Sequence, residues 1–382
     1  MVRVAMVVTN ACSPDPRVLR HAVWMKQAGY EVTVHAFDRD ETHPLSENIS
    51  GVRVMRYRMG PVPYGGTLST YRGIRRFQRK VIQTLRLQPP AMVYCHDADT
   101  LRVGVALKAH HGIPFVFDMH DLQHTWARFA APTSVLRAWV SGRMKQRMLG
   151  RAKKAATILT SSAAVGNASA QGFVEWLVAH GLTAHAVENR PLPPFGEAKQ
   201  EPGNEWTVGY VGRVRDLAAF ELLLSAVRHL PTEERPRLRI AGDGVAAAEV
   251  RQMISQAVEN GEFDAEVSGA YTQEEHAELL DNIDVMFAMY APQRGNIMQG
   301  ALPVKMFDAA SRGIPSVVND SCLMADVAEA EGLGQAASWG DVESVAEALL
   351  ALKDTVVDLT ATGEREHARW NDAMKNVLEE LQ

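Results

Sequence analysis

The sequence has little of what defines several large protein classes. Its 382 residues contain only three cysteines, Cys12, Cys95 and Cys322, which lie far apart. These cysteines form neither a disulfide framework nor a zinc-binding pattern, and they are typical of a reducing cytoplasm. No apolar run approaches the roughly 20 residues that a membrane-spanning helix needs. The N-terminus has the pattern of a first strand and lacks that of a signal peptide, so we expect a cytoplasmic protein.

Acidic residues are missing from two long stretches of the first half. None occurs from Asn48 to His96, which holds nine Arg or Lys, or from Leu122 to Val174, which holds eight. Residues 1–190 carry a formal charge of +13 and residues 191–382 carry −18, although the whole chain is only −5. A solvated face usually mixes both signs, so these stretches indicate an anionic partner. No nucleic-acid-binding motif accompanies them, and we expect no nucleic acid partner.

Short apolar runs alternate with helical patterns along the chain. The predicted strands are Val2–Thr9, Glu31–Phe37, Val52–Arg58, Met92–His96, Pro114–Asp118, Thr157–Ser161, Thr207–Val211, Arg237–Ala241, Ala265–Ser268, Asp284–Ala288 and Ser316–Asn319. Predicted helices between them include Arg17–Ala28, Leu217–Leu230 and Gln273–Asn282. This βαβ rhythm predicts an α/β protein whose parallel sheets carry helices on both faces.

A proline-rich break at Asn189–Gly196 is the best linker candidate. We therefore predict one Rossmann-like domain over 1–190 and a second over 191–364. A charged helix over 365–382 is a candidate to dock back on the first domain. In open α/β sheets ligands bind beyond the carboxyl ends of the strands, so the expected site is the cleft between the two sheets.

The stretch from Pro303 to Gly313 predicts a short helix with Lys305 and Asp308 on one face. Lysine in the first turn opposes the helix dipole, which is an indication that an anion normally sits there. The aspartate could then accept hydrogen bonds from sugar hydroxyls. The alternative is a mutual surface ion pair worth a few tenths of a kcal/mol, and these residues alone leave both interpretations open.

Glycines follow two predicted strands of the second half. Gly212-Arg213 would let a ligand approach the backbone while arginine offers a planar fork for phosphate. The alternative is a tight turn with an exposed arginine. The other turn, Gly242-Asp-Gly244, ends the next strand in the same way.

Histidines and carboxylates follow two predicted strands of the first half. His120, in Asp118-Met-His-Asp121, could hydrogen-bond a substrate hydroxyl, transfer a proton, or serve a structural role. A similar cluster, His96-Asp-Ala-Asp99, follows the preceding predicted strand. Such groups can also bind metal, but no motif with ligand spacing supports a metal site, so none is predicted.

The loop after the first strand, Asn10-Ala-Cys-Ser-Pro-Asp-Pro-Arg-Val18, lacks the Gly-x-Gly-x-x-Gly fingerprint, which argues against a Rossmann dehydrogenase. Its Asp15-Pro16 pair is typical of a helix start.

Together these motifs resemble the retaining, nucleotide-sugar-dependent glycosyltransferases of family 4, which have the GT-B fold of two Rossmann-like parallel-sheet domains facing a central cleft. The resemblance covers nearly the whole chain. Its motifs are Asp15-Pro-Arg-Val18, Gly29-Tyr-Glu-Val-Thr-Val34, His96-Asp-Ala-Asp-Thr100, Asp118-Met-His-Asp121, Gly212-Arg213, Ala241-Gly-Asp-Gly244, and Pro303-x-Lys-x-x-Asp308 before Gly313-Ile-Pro315.

The resemblance implies roles for these residues. Arg213 and Lys305 would hold the donor diphosphate, and Asp308 would accept hydrogen bonds from the ribose hydroxyls. His120 would contact the donor sugar near the reacting centre. The expected catalytic residues are His120, Arg213 and Lys305, and the expected donor-binding residues are Gly212, Arg213, Gly242, Lys305 and Asp308. The expected acceptor-side residues are Asn10, Asp15 and Asp121. Such enzymes generally need no bound metal, so no cofactor is expected.

The sequence also departs from the family. The family often has two glutamates eight residues apart around this helix, where this chain has Gly300 and Asp308. A common lysine about five residues after the phosphate-binding arginine is replaced by Ala218.

The resulting hypothesis is a hexosyltransferase-type enzyme that moves a sugar from a UDP or GDP sugar to a lipid-linked or saccharide acceptor in surface-polysaccharide or glycolipid synthesis. The alternatives are a sugar-nucleotide 2-epimerase of the same fold and a non-catalytic sugar-nucleotide-binding subunit. The basic first half further suggests peripheral attachment to an anionic inner membrane face, against the alternative of a basic face that binds nothing in particular.

Overall fold

The computed structural model describes residues 1–13, 15–63, 68–129, 131–166, 170–195, 206–293 and 295–381. Within them the chain divides into two α/β units. Unit 1 comprises Met1–Ser162, Phe173–Glu188 and His367–Gln382, and unit 2 comprises Ala163–Gly172 and Asn189–Glu366. The predicted class, α/β with two mainly parallel sheets, is confirmed. No sequence pattern indicates that Ala163–Gly172 groups with unit 2.

Unit 1 is built on an eight-stranded sheet of order β3-β4-β2-β1-β5-β6-β7-β8. Its strands are β1 (Arg3–Val8), β2 (Glu31–Phe37), β3 (Ser46–Ile49), β4 (Val52–Tyr57), β5 (Met92–His96), β6 (Phe115–Met119), β7 (Thr157–Thr160) and β8 (His185–Ala186). Its helices are α1 (Pro16–Gln27), α2 (Leu68–Leu87), α3 (Leu101–His111), α4 (Gln123–Phe129), α5 (Val135–Ala152) and α6 (Phe173–Val178). The edge pair β3–β4 is antiparallel, and the other pairs are parallel.

Unit 2 is built on a six-stranded parallel sheet of order β11-β10-β9-β12-β13-β14. Its strands are β9 (Thr207–Val211), β10 (Arg237–Ala241), β11 (Ala265–Ser268), β12 (Val285–Ala288), β13 (Ser316–Asn319) and β14 (Gly334–Ala337). Its α-helices are α7 (Leu217–His229), α8 (Ala247–Glu259), α9 (Gln273–Leu280), α10 (Val304–Ala310), α11 (Leu323–Ala330) and α12 (Val342–Leu352). Two 3-10 turns, Thr232–Glu234 and Ile297–Gln299, complete it.

The last helix, α13 (Gly363–Glu379), begins in unit 2 and continues into unit 1. Its Trp370 is fully buried in the unit 1 core, together with β1 residues such as Val4 and Met6. The Trp370 indole donates a hydrogen bond to the hydroxyl of Tyr94 on β5, at 3.2 Å. The part of α13 around Trp370 is therefore part of the folded core of unit 1. Across the parts of the chain listed above, none of the helices combines the length and apolarity needed to cross a bilayer.

Candidate active site

In unit 1 the site residues gather because β5 and β6 are parallel neighbours. The strand register pairs His96 with Asp118, so the residues that follow both strands emerge at the same sheet edge. His120 follows β6 there, and Asp97 follows β5. The sequence predicts this arrangement from strand ends alone.

Asp118 is the centre of a buried hydrogen-bond network. Its carboxylate is fully buried and accepts hydrogen bonds from the guanidinium of Arg17 on α1, with Nε to Oδ2 at 3.0 Å. His120 Nε2 lies 2.8 Å and His96 Nδ1 lies 3.0 Å from Asp118 Oδ2, and His21 Nδ1 lies 3.4 Å from the same oxygen. Burial alone would raise the pKa of Asp118, but the positive charges of Arg17 and His120 hold it well below its usual range.

His120 has a carboxylate at each of its ring nitrogens. Nε2 faces Asp118, and Nδ1 lies 3.5 Å from Asp97 Oδ2. Burial disfavours its charge, yet attraction by Asp97 and Asp118 raises the pKa of His120 to about 9. The ring is therefore a cation at neutral pH. It can donate hydrogen bonds and stabilise negative charge, but it is poorly suited to act as a general base.

Asp97 interacts with the His120 ring and with two further carboxylates, those of Asp99 and Asp121. Its backbone is in the left-handed region, with φ of 64°, and its Oδ1 accepts the backbone N–H of His120 at 3.1 Å. Burial, together with the negative charges of Asp99 and Asp121, raises the pKa of Asp97 to about 7 although His120 acts against this. A non-glycine residue in that conformation is frequent at functional sites.

The donor atoms of His96, Asp118 and His120 lie within 4.8 Å of one another, which is close enough to hold a metal ion. Arg17, however, already contacts both carboxylate oxygens of Asp118. A guanidinium in that position would repel a cation, so this donor set suits a hydrogen-bond network better than a metal. The sequence-based expectation that no metal is bound stays a prediction.

The residues expected on the acceptor side stabilise the loops that carry them. Asp15 caps α1 by accepting the backbone N–H of Val18 at 3.1 Å, and Asn10 Nδ2 donates to Asp15 Oδ2 at 2.8 Å. Asp121 Oδ2 accepts the indole N–H of Trp126 at 2.9 Å. These contacts give all three side chains a structural role, and contact with an acceptor stays a prediction.

In unit 2 the two predicted glycine turns pack backbone against backbone. Gly212 and Gly242 have φ of 146° and 144°, outside the usual range of other residues. A Cβ at Gly242 would overlap the carbonyl oxygen of Gly212, so glycine is required at that position. Arg213 is exposed directly after this turn, and its carbonyl accepts the hydroxyl of Tyr210 at 2.8 Å.

Lys305 reaches from α10 to the Gly212 turn. Its Nζ lies 3.2 Å from the ring centroid of Tyr210 and 5.3 Å from that of Tyr290, in a cation–π arrangement. A Cβ at Gly212 would lie 3.6 Å from the same Nζ. The ammonium group is therefore held beside the turn that precedes Arg213, which places two cationic residues next to one glycine.

Asp308 lies one turn further along α10, with its Oδ2 3.8 Å from Nε2 of His276 on α9. Burial, and then the charge of Asp308, raise the pKa of Tyr271, whose ring stacks on His276 at 5.6 Å. Lys305 and Asp308 each contact other elements of unit 2 and so are not an isolated surface ion pair. α10 has only seven residues, so the contacts of these side chains matter more than its dipole.

Gly300, which stands where the family often has a glutamate, is closed to any side chain. Its φ is 109°, and a Cβ there would lie 2.5 Å from the carbonyl oxygen of Gln171 and 2.8 Å from Cα of Gly172. The neighbouring Ala170 N–H is held by Asp326 Oδ2 at 3.1 Å, so this segment is fixed to α11. The departure at residue 300 is therefore built into the backbone of unit 2.

Several contacts within these clusters were not predicted from the sequence. Arg17 and Asp118 lie 101 residues apart, and nothing in the sequence indicates that they pair. The aromatic contacts of Lys305 likewise depend on packing. One available signal was arginine directly after Asp15-Pro16, in the first turn of α1, where a cation is unfavourable without a partner.

Two family models match the chain. A glycosyl transferase 4-like domain matches residues 14–178, and a glycosyl transferases group 1 domain matches residues 205–354. With its two parallel-sheet units, the chain belongs to the GT-B glycosyltransferases of the group 1 type, which confirms the family-4-like resemblance.

Solved structures of the same fold span the whole chain. Sucrose-phosphate synthase from Thermosynechococcus elongatus matches with a TM-score of 0.70 at 13% identity, covering 100% of this chain and 99% of the other. The lipopolysaccharide outer core galactosyltransferase WaaB matches with a TM-score of 0.64 at 14% identity, and the match covers 98% of this chain and 100% of WaaB. HepE of Anabaena, in complex with UDP and glucose, matches with a TM-score of 0.62 at 14% identity, and the match covers 100% of this chain and 99% of HepE. At such identities the likeness concerns the fold. No curated protein matches the chain in sequence.

Proposed function

We propose that this protein is a retaining hexosyltransferase that moves a sugar from a nucleotide diphosphate sugar to a lipid-linked or saccharide acceptor, in surface-polysaccharide or glycolipid synthesis. The observation that carries the proposal is the position of Lys305 Nζ beside the Gly212–Arg213 turn of unit 2. A lysine ammonium beside the glycine turn that leads into an exposed arginine suits a diphosphate.

In this proposal the protein does little covalent work. The leaving diphosphate must be stabilised as the sugar becomes oxocarbenium-like, and positioned positive charge at Arg213 and Lys305 would do this. Asp308 would accept hydrogen bonds from the ribose hydroxyls. His120 would contact the donor sugar as a hydrogen-bond donor, which fits a ring that is cationic at neutral pH.

The identity of the nucleotide is part of the proposal. The matching structure of HepE is a complex with UDP and glucose, and another matching structure, of a trehalose-6-phosphate enzyme, is bound to UDP-2-fluoro glucose. We therefore expect a UDP sugar to be preferred over a GDP sugar.

The test is a turnover assay of the purified chain with UDP and GDP sugars, with and without lipid-linked and saccharide acceptors. Release of nucleoside diphosphate only with an acceptor, and a product with the anomeric configuration of the donor by NMR, are the expected results. An inverted product would contradict retention. Conversion of the donor without an acceptor would instead indicate a 2-epimerase.

One observation favours a second candidate, a sugar-nucleotide-binding subunit without turnover. Gly300 cannot carry the glutamate that the family often has, and Ala218 stands in place of a lysine. Donor binding that is abolished by Lys305→Ala, combined with no turnover on any acceptor, would support this candidate over the transferase.

A further inference from the structure

Helix α5 of unit 1 presents apolar residues to solvent. Its buried residues, Ser141, Met148 and Ala152, lie on one face, and α5 packs against α3 and α4. The opposite face begins with Leu136 and Trp139, which are 70% and 62% exposed. This distribution is the reverse of a normal surface helix, whose apolar stripe faces the core. The exposed face therefore has the composition of a contact surface.

Arginines continue this face along α5. Arg143 and Arg147 follow Leu136 and Trp139 at spacings of three and four residues, so they share the same side of the helix. The guanidinium of Arg143 lies 5.8 Å from the ring centroid of Trp139. An aromatic ring with arginines beside it is the composition that proteins place at a membrane–water interface.

Helices α2 and α3 bring more positive charge to α5. Burial, followed by repulsion from Arg75, Arg79 and Arg151, lowers the pKa of Arg102 below its usual range. The pKa of Arg151 is lowered in the same way, by burial, Arg75 and Arg147. Because like charges from three helices are crowded together, an anion bound here would relieve their repulsion.

The exposed Tyr71 of α2 belongs to the same region, since its ring centroid lies 5.8 Å from the guanidinium of Arg75. We call this region the basic aromatic surface. It consists of Tyr71, Arg75, Arg79, Arg102, Leu136, Trp139, Arg143, Arg147 and Arg151. All of these residues except Arg102 lie within the two acid-free stretches, so no carboxylate from those stretches neutralises the surface.

We propose that the basic aromatic surface binds an anionic lipid bilayer, with Leu136 and Trp139 inserted at headgroup depth and the arginines on lipid phosphates. A second copy of this chain is disfavoured because pairing the same surface would bring like charges together. A nucleic acid would leave the exposed Leu136 without an apolar partner. The inference does not depend on glycosyl transfer, so it can fail while the proposed function stands.

The test is flotation of the full chain with vesicles of phosphatidylcholine alone and with vesicles of phosphatidylcholine mixed with anionic phosphatidylglycerol. We expect binding to the anionic vesicles only, and weaker binding at high salt. Each arginine near the surface contributes about 1 kcal/mol, so Arg143→Gln with Arg147→Gln should weaken binding by at least about tenfold. Leu136→Ser with Trp139→Ser should weaken it at both low and high salt.

Matched controls come from unit 2. Val245 is 89% exposed and Arg251 is an exposed arginine of α8, so Val245→Ser and Arg251→Gln should bind vesicles like the parent. Brominated lipids should quench the fluorescence of Trp139, and the quenching should fall in Trp139→Phe. Unchanged thermal unfolding of the variants shows that they remain folded.

Equal binding to neutral and anionic vesicles would overturn the proposal, and so would no binding to either. Surface variants that bind like the controls would overturn it too. A dimer in sedimentation that Leu136→Ser dissociates would assign the surface to a second copy instead.

Discussion

The candidate site residues of the two units are built in opposite ways. In unit 1 they form a buried network in which Arg17, His96 and His120 all contact Asp118. The pKa of Asp118 is held well below its usual range, and that of His120 is raised to about 9. In unit 2 the ammonium of Lys305 lies against the Tyr210 ring, beside the Gly212 turn, and Lys305 and Asp308 are both half-buried. The first arrangement fixes the charge of one ring, His120. The second holds the cation of Lys305 beside the glycine turn that precedes Arg213.

The difference indicates what each cluster contributes to chemistry. A network whose members bind one another is preorganised, so it can hold a charge in place without reorganising during a reaction. Cations beside glycine turns gain most of their stabilisation when an anion arrives. We therefore expect substitutions of Asp118 and its partners to affect folding first, and substitutions of Lys305 and Asp308 to affect ligand binding first.

The largest expected effect is the loss of Asp118. Asp118→Ala leaves the 5% exposed Arg17 without its carboxylate, and removing one partner of a buried pair costs about 3–5 kcal/mol. Denaturant unfolding would measure this, with Asp118→Asn as a variant of unchanged shape. Asp308→Ala in unit 2 is the control and should cost less than about 1 kcal/mol, since its carboxylate is 25% exposed. Equal losses for the two alanine variants would contradict the comparison.

The next effect is steric. Gly300→Ala places a methyl group against Gln171 and Gly172 at a positive φ, which should cost about 2–4 kcal/mol. Gly332 is a matched control because its φ of 64° is also positive but its surroundings are open. Gly332→Ala should cost about 1 kcal/mol. If both substitutions cost the same, the close approach at residue 300 is not what requires glycine.

A smaller effect concerns pH. The pKa of His120 rises from 6.5 to about 9 on folding, so its contribution to stability is fully present below pH 6.5 and is lost as pH rises to about 9. On the order of 1–3 kcal/mol should disappear over that window. NMR titration of the His120 ring would test this, and His120→Gln should flatten the stability profile. The groups that face the ring are Asp97, Asp118, His96 and Arg17. A ring that titrates near 6.5 would contradict the network.

The smallest expected effect lies at the C-terminal helix. Trp370→Phe keeps an aromatic ring in the unit 1 core but removes the hydrogen bond to Tyr94, which should cost about 1 kcal/mol, plus a further loss from the smaller ring. Thermal unfolding of the parent and the variant would measure this loss of stability. No destabilisation at all would mean that the last helix contributes little to unit 1.

Most of the fold could be predicted from the sequence because its buried parallel strands are apolar and its helices are amphipathic. The strands missed were β3, β8 and β14, which are short and carry few large apolar residues, such as Ser46–Ile49 and Gly334–Ala337. Their pairing depends on neighbouring strands, which a local pattern does not contain.

Local patterns predicted His120, Gly212 and Gly242 at strand ends and Lys305 and Asp308 on one face of a helix. The pairing of Arg17 with Asp118 was not predicted, because the two residues are distant in sequence. The need for glycine at residue 300 arises from Gln171, on a segment whose placement no local pattern predicts.

The most direct test of the proposed donor site is calorimetric titration of the full chain with the best UDP or GDP sugar. Hydrogen bonds to charged groups contribute about 1.5–3 kcal/mol, so Lys305→Ala should weaken binding by about 10- to 150-fold. Asp308→Ala should also weaken it, and Lys353→Ala, at the end of α12, should not. If the Lys305 and Asp308 variants both bind the donor as tightly as the parent, the donor site has been assigned to the wrong residues.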